Sequence, residues 1–301
     1  MNAPSASPDD FTASFKEWDV EALIDRWFYR PIAELVARGL ASTSIRPNQI
    51  SFASALAGIA AALCYWQFTY PFIVAGGLWL SLSVVFDAAD GQLARRTGRS
   101  SETGKLFDNF MDPIKAVSTM FGITFGMDSI GNWGPGLPMP EGWSASLWIW
   151  ASGWFVGLTL LMQVVTRNAW VDRYDRIGKG RTSLTMADLR VVRREFEAIK
   201  ERPGLWLEKT IVPLILALSP KVSEPLEPLE PSAEYARAMR PYIRLWTFFG
   251  GGQQFFVLTI ASLLGAPVWG WIYIGVFGNT AYLLLMLATW RVHRRHRPAG
   301  A

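Results

Sequence analysis

The sequence predicts an all-α, polytopic membrane protein with six transmembrane helices, and three observations carry that expectation. Half of the 301 residues are hydrophobic, with 15 Trp and 18 Phe, and only 18 % are charged. A soluble domain rarely has this balance. Six stretches each approach the ~20 apolar residues that a helix needs to cross a bilayer. They lie at about 48–68, 72–94, 105–126, 144–168, 243–264 and 267–290. Lys and Arg are absent between the first and second, third and fourth, and fifth and sixth stretches. By the positive-inside rule both termini are then cytoplasmic, and the expected location is an inner (cytoplasmic) membrane of the bacterial type.

Residues 1–46 mix aromatics with charge, and Phe11, Phe15, Trp18, Leu23, Trp27 and Leu35 recur at helical spacing. One or two N-terminal amphipathic helices follow, the second started by Pro31. They lie on the cytoplasmic leaflet or pack on other protein; the pattern is equally consistent with both. No uninterrupted apolar run occupies the first 45 residues, so no cleavable signal peptide is expected. Residues 47–170 carry the first four spans. Residues 171–241 form a cytoplasmic insertion, with a helix bounded by Thr185 and by Pro203-Gly204, and an interfacial or re-entrant segment around LWLEKTIVPLILALSP. The acidic, proline-rich run SEPLEPLEPSAEY reads as a linker. Residues 242–290 carry the last two spans, the fifth interrupted by Gly250–Gly252 and by Gln253-Gln254, which serve inter-helix packing and hydrogen bonding or else wall a polar cavity. Residues 291–301 are a basic tail.

Cys64 is the single cysteine, and His293 and His296, both in that tail, are the only histidines. A thiolate–histidine metal cluster and histidine acid–base chemistry are therefore not expected. The run DAADGQLARRTGRSSETGKLFDNFMD instead places four aspartates within 26 residues: Asp87, Asp90, Asp108 and Asp112. Acidic groups beside lipid are costly and mark functional sites. Asp87 and Asp90 are three apart and Asp108 and Asp112 four apart, so each pair shares a helix face. Two facing helices would converge an oxygen-only ligand set, suited to Mg²⁺, Mn²⁺ or Ca²⁺ rather than zinc. Gly91 and Ala94 on the first helix, and Gly104 one turn before Asp108, remove bulk where a flat ligand could approach, or else permit close helix packing.

The full pattern D-x₂-D-G-x₂-A-R-x₈-G-x₃-D-x₃-D resembles the signature of the CDP-alcohol phosphotransferase family. RPNQIS (Arg46 to Ser51) is similar to that family's entry to its first span. The resemblance implies a divalent metal site on Asp87, Asp90, Asp108 and Asp112, holding two Mg²⁺ or Mn²⁺ ions. It implies that the CDP moiety lies against Gly91, Ala94 and Gly104, with Asp112 as general base toward the alcohol acceptor. It further implies a CDP-alcohol lipid donor, release of CMP, phospholipid biosynthesis and a homodimer in the bilayer; no nucleic-acid partner is expected. Arg95 either contacts a phosphate or pairs with a motif aspartate, and Asn48 either reaches the nucleotide or merely starts the first span as Pro47-Asn48. Lys115, Arg167 and Arg244 are candidates for an acceptor pocket, with membrane anchoring as their alternative use. Asn109 and Pro113 depart from the choline/ethanolamine and phosphatidylglycerophosphate branches, and the serine and inositol-phosphate branches are not matched more closely. The acceptor thus stays open, as does transfer of a head group to a lipid. A divalent cation transporter is the rival class, opposed by the absence of a polar path toward the far membrane face.

Overall fold

The computed structural model describes residues 17–131, 140–181, 187–201, 205–218 and 229–296. Phe11, Phe15, Thr185, Pro203-Gly204 and the first part of the proline-rich run (223–228) lie outside them. All regular structure among the described residues is helical. A π-helical turn (Asp25–Tyr29) runs directly into α1 (Arg30–Ala41), with Pro31 in the first turn. α1 turns Ala33, Glu34 and Ala37 toward α3, while Trp27 and Leu35 stay exposed on its outer side. Buried Glu34 takes Arg38 at 3.0 Å and also pairs with Arg96, tying α1 to the end of α3.

Two long antiparallel helices follow, α2 (Pro47–Gln67) and α3 (Tyr70–Arg96), joined by a tight turn at Phe68 with φ +45°. α4 (Glu102–Ser129) packs on the other side of α2. Small residues set that approach: a Cβ added at Gly122 would stand 2.4 Å from the Ala62 carbonyl oxygen. At Gly126 it would stand 2.3 Å from that of Tyr65. α5 (Ala145–Lys179) starts on the Ser144 cap and ends at Gly180.

Among the described residues, four helical segments are long and apolar enough to cross a membrane: α2, α3, α5 and the continuous rod 267–296. That rod joins α10 (Pro267–Ile272), a π-helical stretch (Tyr273–Gly278) and α11 (Asn279–His296). α4, expected as the third span, has 28 residues but carries Lys105, Asp108, Asp112 and Lys115 in its first half. The fifth expected span is not one helix. α8 (Ala233–Trp246) passes through a 3₁₀ turn (Thr247–Phe249) to α9 (Gly251–Leu263), with Gly250 extended at ψ 148°. Asp25 causes the local demand for glycine, because a Cβ at Gly252 would lie 2.1 Å from its Oδ1. Gln254 serves packing, as expected: its Nε2 donates to Gln163 Oε1 at 2.8 Å, and Gln163 Nε2 to Asn279 Oδ1 at 2.9 Å.

In the insertion, α6 (Leu189–Lys200) is capped by Asp188, and α7 (Trp206–Leu218) follows. Val192, Phe196, Leu207, Val212 and Ile215 form one apolar cluster with Ala55, Leu106, Phe107 and Met111 of α2 and α4. The N-terminal residues 17–20 are strapped across α5 and α8. Asp19 accepts from Arg240 Nε at 2.8 Å and from Tyr174 OH at 3.3 Å. Glu17 binds Lys179 at 2.5 Å and also Arg181.

Candidate active site

The last turns of α3 and the first turns of α4 meet beside the start of α2. α3 carries Asp87 and Asp90 there because its final turns change from apolar to DAADGQLARR, and α4 begins with the Ser101 cap accepting from Gly104 N at 3.0 Å. Oxygens of Asp87, Asp108 and Asp112 lie within 4.8 Å of one another. A divalent ion sits 2.0–2.6 Å from oxygen ligands, so this all-oxygen group fits one with small side-chain adjustments. The fourth carboxylate stands apart: Asp90 is buried, and its Oδ2 accepts a hydrogen bond from Ser51 Oγ.

Lys115 is the unexpected member of the site. Its Nζ pairs with Asp112 Oδ1 at 2.5 Å and also with Asp87, while its side chain is only 4 % exposed. The stem fits because the facing residue on α2 is Gly58, where a Cβ would stand 3.0 Å from Lys115 Cα, Cβ and Cγ. Expected as part of an acceptor pocket, Lys115 instead neutralises the carboxylates from inside the cluster. Its i,i+3 relation to Asp112 was a visible signal. The gap opposite it was not, because Gly58 lies far away in sequence.

A cavity of about 980 Å³ opens beside the carboxylates, lined by Asp87, Asp90 and Asp108 together with Gly91, Ala94 and Gly104. Asn48 also faces it, as do Arg30, Arg46, Arg95 and Arg99. Gly91 and Gly104 border open space rather than a tightly packed helix. A Cβ at Gly91 would meet only Arg95, no closer than 3.4 Å, and one at Gly104 only Ser101 Oγ and Asn48 Oδ1. Close helix packing thus explains Gly122 and Gly126 but not these two. Arg95 is exposed and lies over Gly91, and among the described residues it forms no ion pair with a motif aspartate.

The cavity is closed over by the insertion, a contribution that its sequence did not announce. Glu195 of α6 accepts from Thr103 N at 2.8 Å and Thr103 Oγ1 at 2.6 Å, so it caps α4. Glu208 of α7 is buried and accepts from Asn48 Nδ2 at 3.1 Å. Both glutamates read as ordinary helix charges until the helices are folded onto α2 and α4.

Arg167 and Arg244 do not join this cluster. Arg167 donates to the Val20 carbonyl at 2.5 Å and to Asn168 at 2.9 Å. Arg244 stacks on Trp18, its guanidinium carbon 4.6 Å from the ring centroid, opposite Arg26 at 5.0 Å. Both hold the N-terminal strap, and neither lines the cavity. Their apolar flanks on α5 and α8 resemble membrane anchors, and the strap is the third use that the sequence left unseen.

Fold and site together define an all-helical integral membrane protein with an acidic, metal-ready centre under a polar cavity. Comparison with known families makes this specific: the chain belongs to the CDP-alcohol phosphatidyltransferase family, whose model matches residues 44–195. Archaetidylinositol phosphate synthase from Pyrococcus horikoshii is 33 % identical over 93 residues, 31 % of this chain and 48 % of that protein. The protein of the same name from Aeropyrum pernix is 43 % identical over 90 residues, 30 % and 45 % of the two chains. The chain thus spans about half the length of these relatives.

Proposed function

We propose that this protein transfers a substituted phosphate group, a phosphatidyl group from a CDP-alcohol lipid, to a hydroxyl acceptor and releases CMP. The observation that carries this reading is the gathering of Asp87, Asp108 and Asp112 within 4.8 Å, with Asp87 and Asp108 on the wall of a cavity that Gly91, Ala94 and Gly104 also line. These carboxylates would hold Mg²⁺ or Mn²⁺, with Asp90 completing the set for a second ion once it releases Ser51. A bound metal there would neutralise the pyrophosphate and stabilise the attacking and leaving oxygens. Asp112, half exposed at the edge of the group, takes the proton from the acceptor hydroxyl. Arg95 lies over Gly91, where it would hold a phosphate oxygen.

For the acceptor, the names of the two relatives favour a phosphorylated polyol of the inositol phosphate class. Arg30, Arg46 and Arg99 on the cavity wall give such a phosphate cationic partners. Residues 47–170 and 242–290 would form the membrane body, both termini and the acidic centre would face the cytoplasm, and two copies would associate in the bilayer. Incubation of purified protein with CDP-diacylglycerol, Mg²⁺ or Mn²⁺ and a pool of alcohols and their phosphates tests the reaction. Metal-dependent CMP release, with a lipid product identified by mass, is the expected result. Absence of CMP release with every acceptor would overturn it. Metal flux into proteoliposomes that survives Asp112→Asn would favour the transporter.

A further inference from the structure

We propose that Glu208, brought by α7 onto the start of α2, is a specificity-determining residue that reads the base of the nucleotide and selects an aminopyrimidine over a uracil. This inference rests on the CDP-alcohol reading above.

Glu208 lines the cavity beside Asn48, and its side chain is almost fully enclosed at 5 % residue exposure. One carboxylate oxygen, Oε1, accepts from Asn48 Nδ2, which fixes the orientation of both groups. That bond leaves Glu208 Oε2 and Asn48 Oδ1 as acceptors. Asn48 Oδ1 lies beside Gly104, 3.4 Å from where a Cβ there would stand. This corner of the cavity therefore presents hydrogen-bond acceptors above a bare glycine surface.

Charge decides which part of a nucleotide can lie there. A carboxylate outside the metal-ready group repels a diphosphate, so Glu208 must face the uncharged end of the donor. Glu195 does not compete for that role, because its oxygens are spent on Thr103 and Glu102 at the start of α4. Cytosine presents an exocyclic amine, a donor that matches two acceptors. Uracil presents a carbonyl oxygen at the same position, which would stand against a buried carboxylate. Sites built around a fixed polar partner reject an analogue that leaves it unpaired. The reader residue thus comes from the insertion rather than from the acidic motif.

The test uses the full chain in detergent with Mn²⁺, measuring CDP and UDP binding by calorimetry for the unmodified protein, Glu208→Gln and Glu195→Gln. Glutamine keeps the Oε1 acceptor for Asn48 and adds an amide that can donate to a uracil carbonyl. The expected result is a preference for CDP of roughly tenfold or more in the unmodified protein. Glu208→Gln should erase that preference largely by tightening UDP, whereas Glu195→Gln should leave the ratio unchanged. A merely structural role for Glu208 would weaken both nucleotides equally. An unchanged CDP preference in Glu208→Gln, or equal weakening of both, overturns the proposal while leaving the donor reading intact. Failure of the unmodified protein to bind either nucleotide overturns the donor reading and the base assignment together.

Discussion

At the scale of single residues, Asp108, Asp112 and Lys115 divide the work of one small cluster. Asp108→Asn removes a ligand oxygen and should weaken Mn²⁺ binding at least tenfold, measured by calorimetry; equal dissociation constants would refute the ligand role. Asp112→Asn should mainly lower turnover, by about 10²–10⁴-fold if it acts as a general base, read from the rate of CMP release. Lys115→Met leaves Asp87 and Asp112 facing each other without a cation. Lys115 is buried but both carboxylates are partly exposed, so the cost falls below the ~3–5 kcal/mol of breaking a fully buried pair. The melting temperature of Lys115→Met should therefore fall in chelator and recover on adding Mn²⁺. The four aspartates were legible in sequence because spacing alone puts each pair on one helix face. The internal position of Lys115 was not, since it depends on Gly58 of another helix.

At the scale of elements, glycine plays two opposite parts. Gly122 and Gly126 let α4 touch the backbone of α2, whereas Gly91 and Gly104 border the cavity. Gly122→Ala should push α4 away from α2 and destabilise the protein by about 1–3 kcal/mol, seen as a lower melting temperature. Gly91→Ala, with its nearest neighbour the mobile end of Arg95, should melt normally and lose activity. Helices α2, α3 and α5 were legible from their apolar length, and the interruption of the fifth stretch was visible as a glycine run. Its consequence, a full break between α8 and α9, follows from the approach of Asp25 to Gly252, a long-range contact that no local pattern encodes. The roof of the cavity was illegible for the same reason. Glu195 and Glu208 acquire their roles only when Val192, Phe196 and Ile215 bury against α2 and α4.

At the scale of the whole molecule, orientation is the open expectation, and Cys64 makes it measurable because it is the single thiol. With Cys64→Ser as background, Glu201→Cys and Tyr70→Cys should label from opposite sides of sealed membranes, Glu201→Cys from the cytoplasmic side. Labelling of both from one side would break the even-span layout. Acid should also loosen the N-terminal strap. Burial alone would raise the pKa of Glu17, but hydrogen bonds and charge from Lys179 and Arg181 outweigh it and hold the carboxyl below the usual carboxylate range. A depressed folded-state value means that stabilisation is complete above the unfolded value and is lost as pH falls through the folded one. Hydrogen exchange at residues 17–20 should accelerate as pH falls through and below the usual carboxylate range, and Glu17→Gln should flatten that dependence.

The strap also sets an order of assembly. Val20 meets Arg167 across 147 positions of sequence, and Asp19 meets Tyr174 across 155 and Arg240 across 221. During synthesis these partners emerge long after the strap itself. Residues 17–20 must therefore wait undocked while α2, α3 and α4 are made, and they close only after α5 and α8 have followed. The strap, made before its partners, is thus among the last elements to be fastened, and its closure reports that the helices on either side of the insertion have come together.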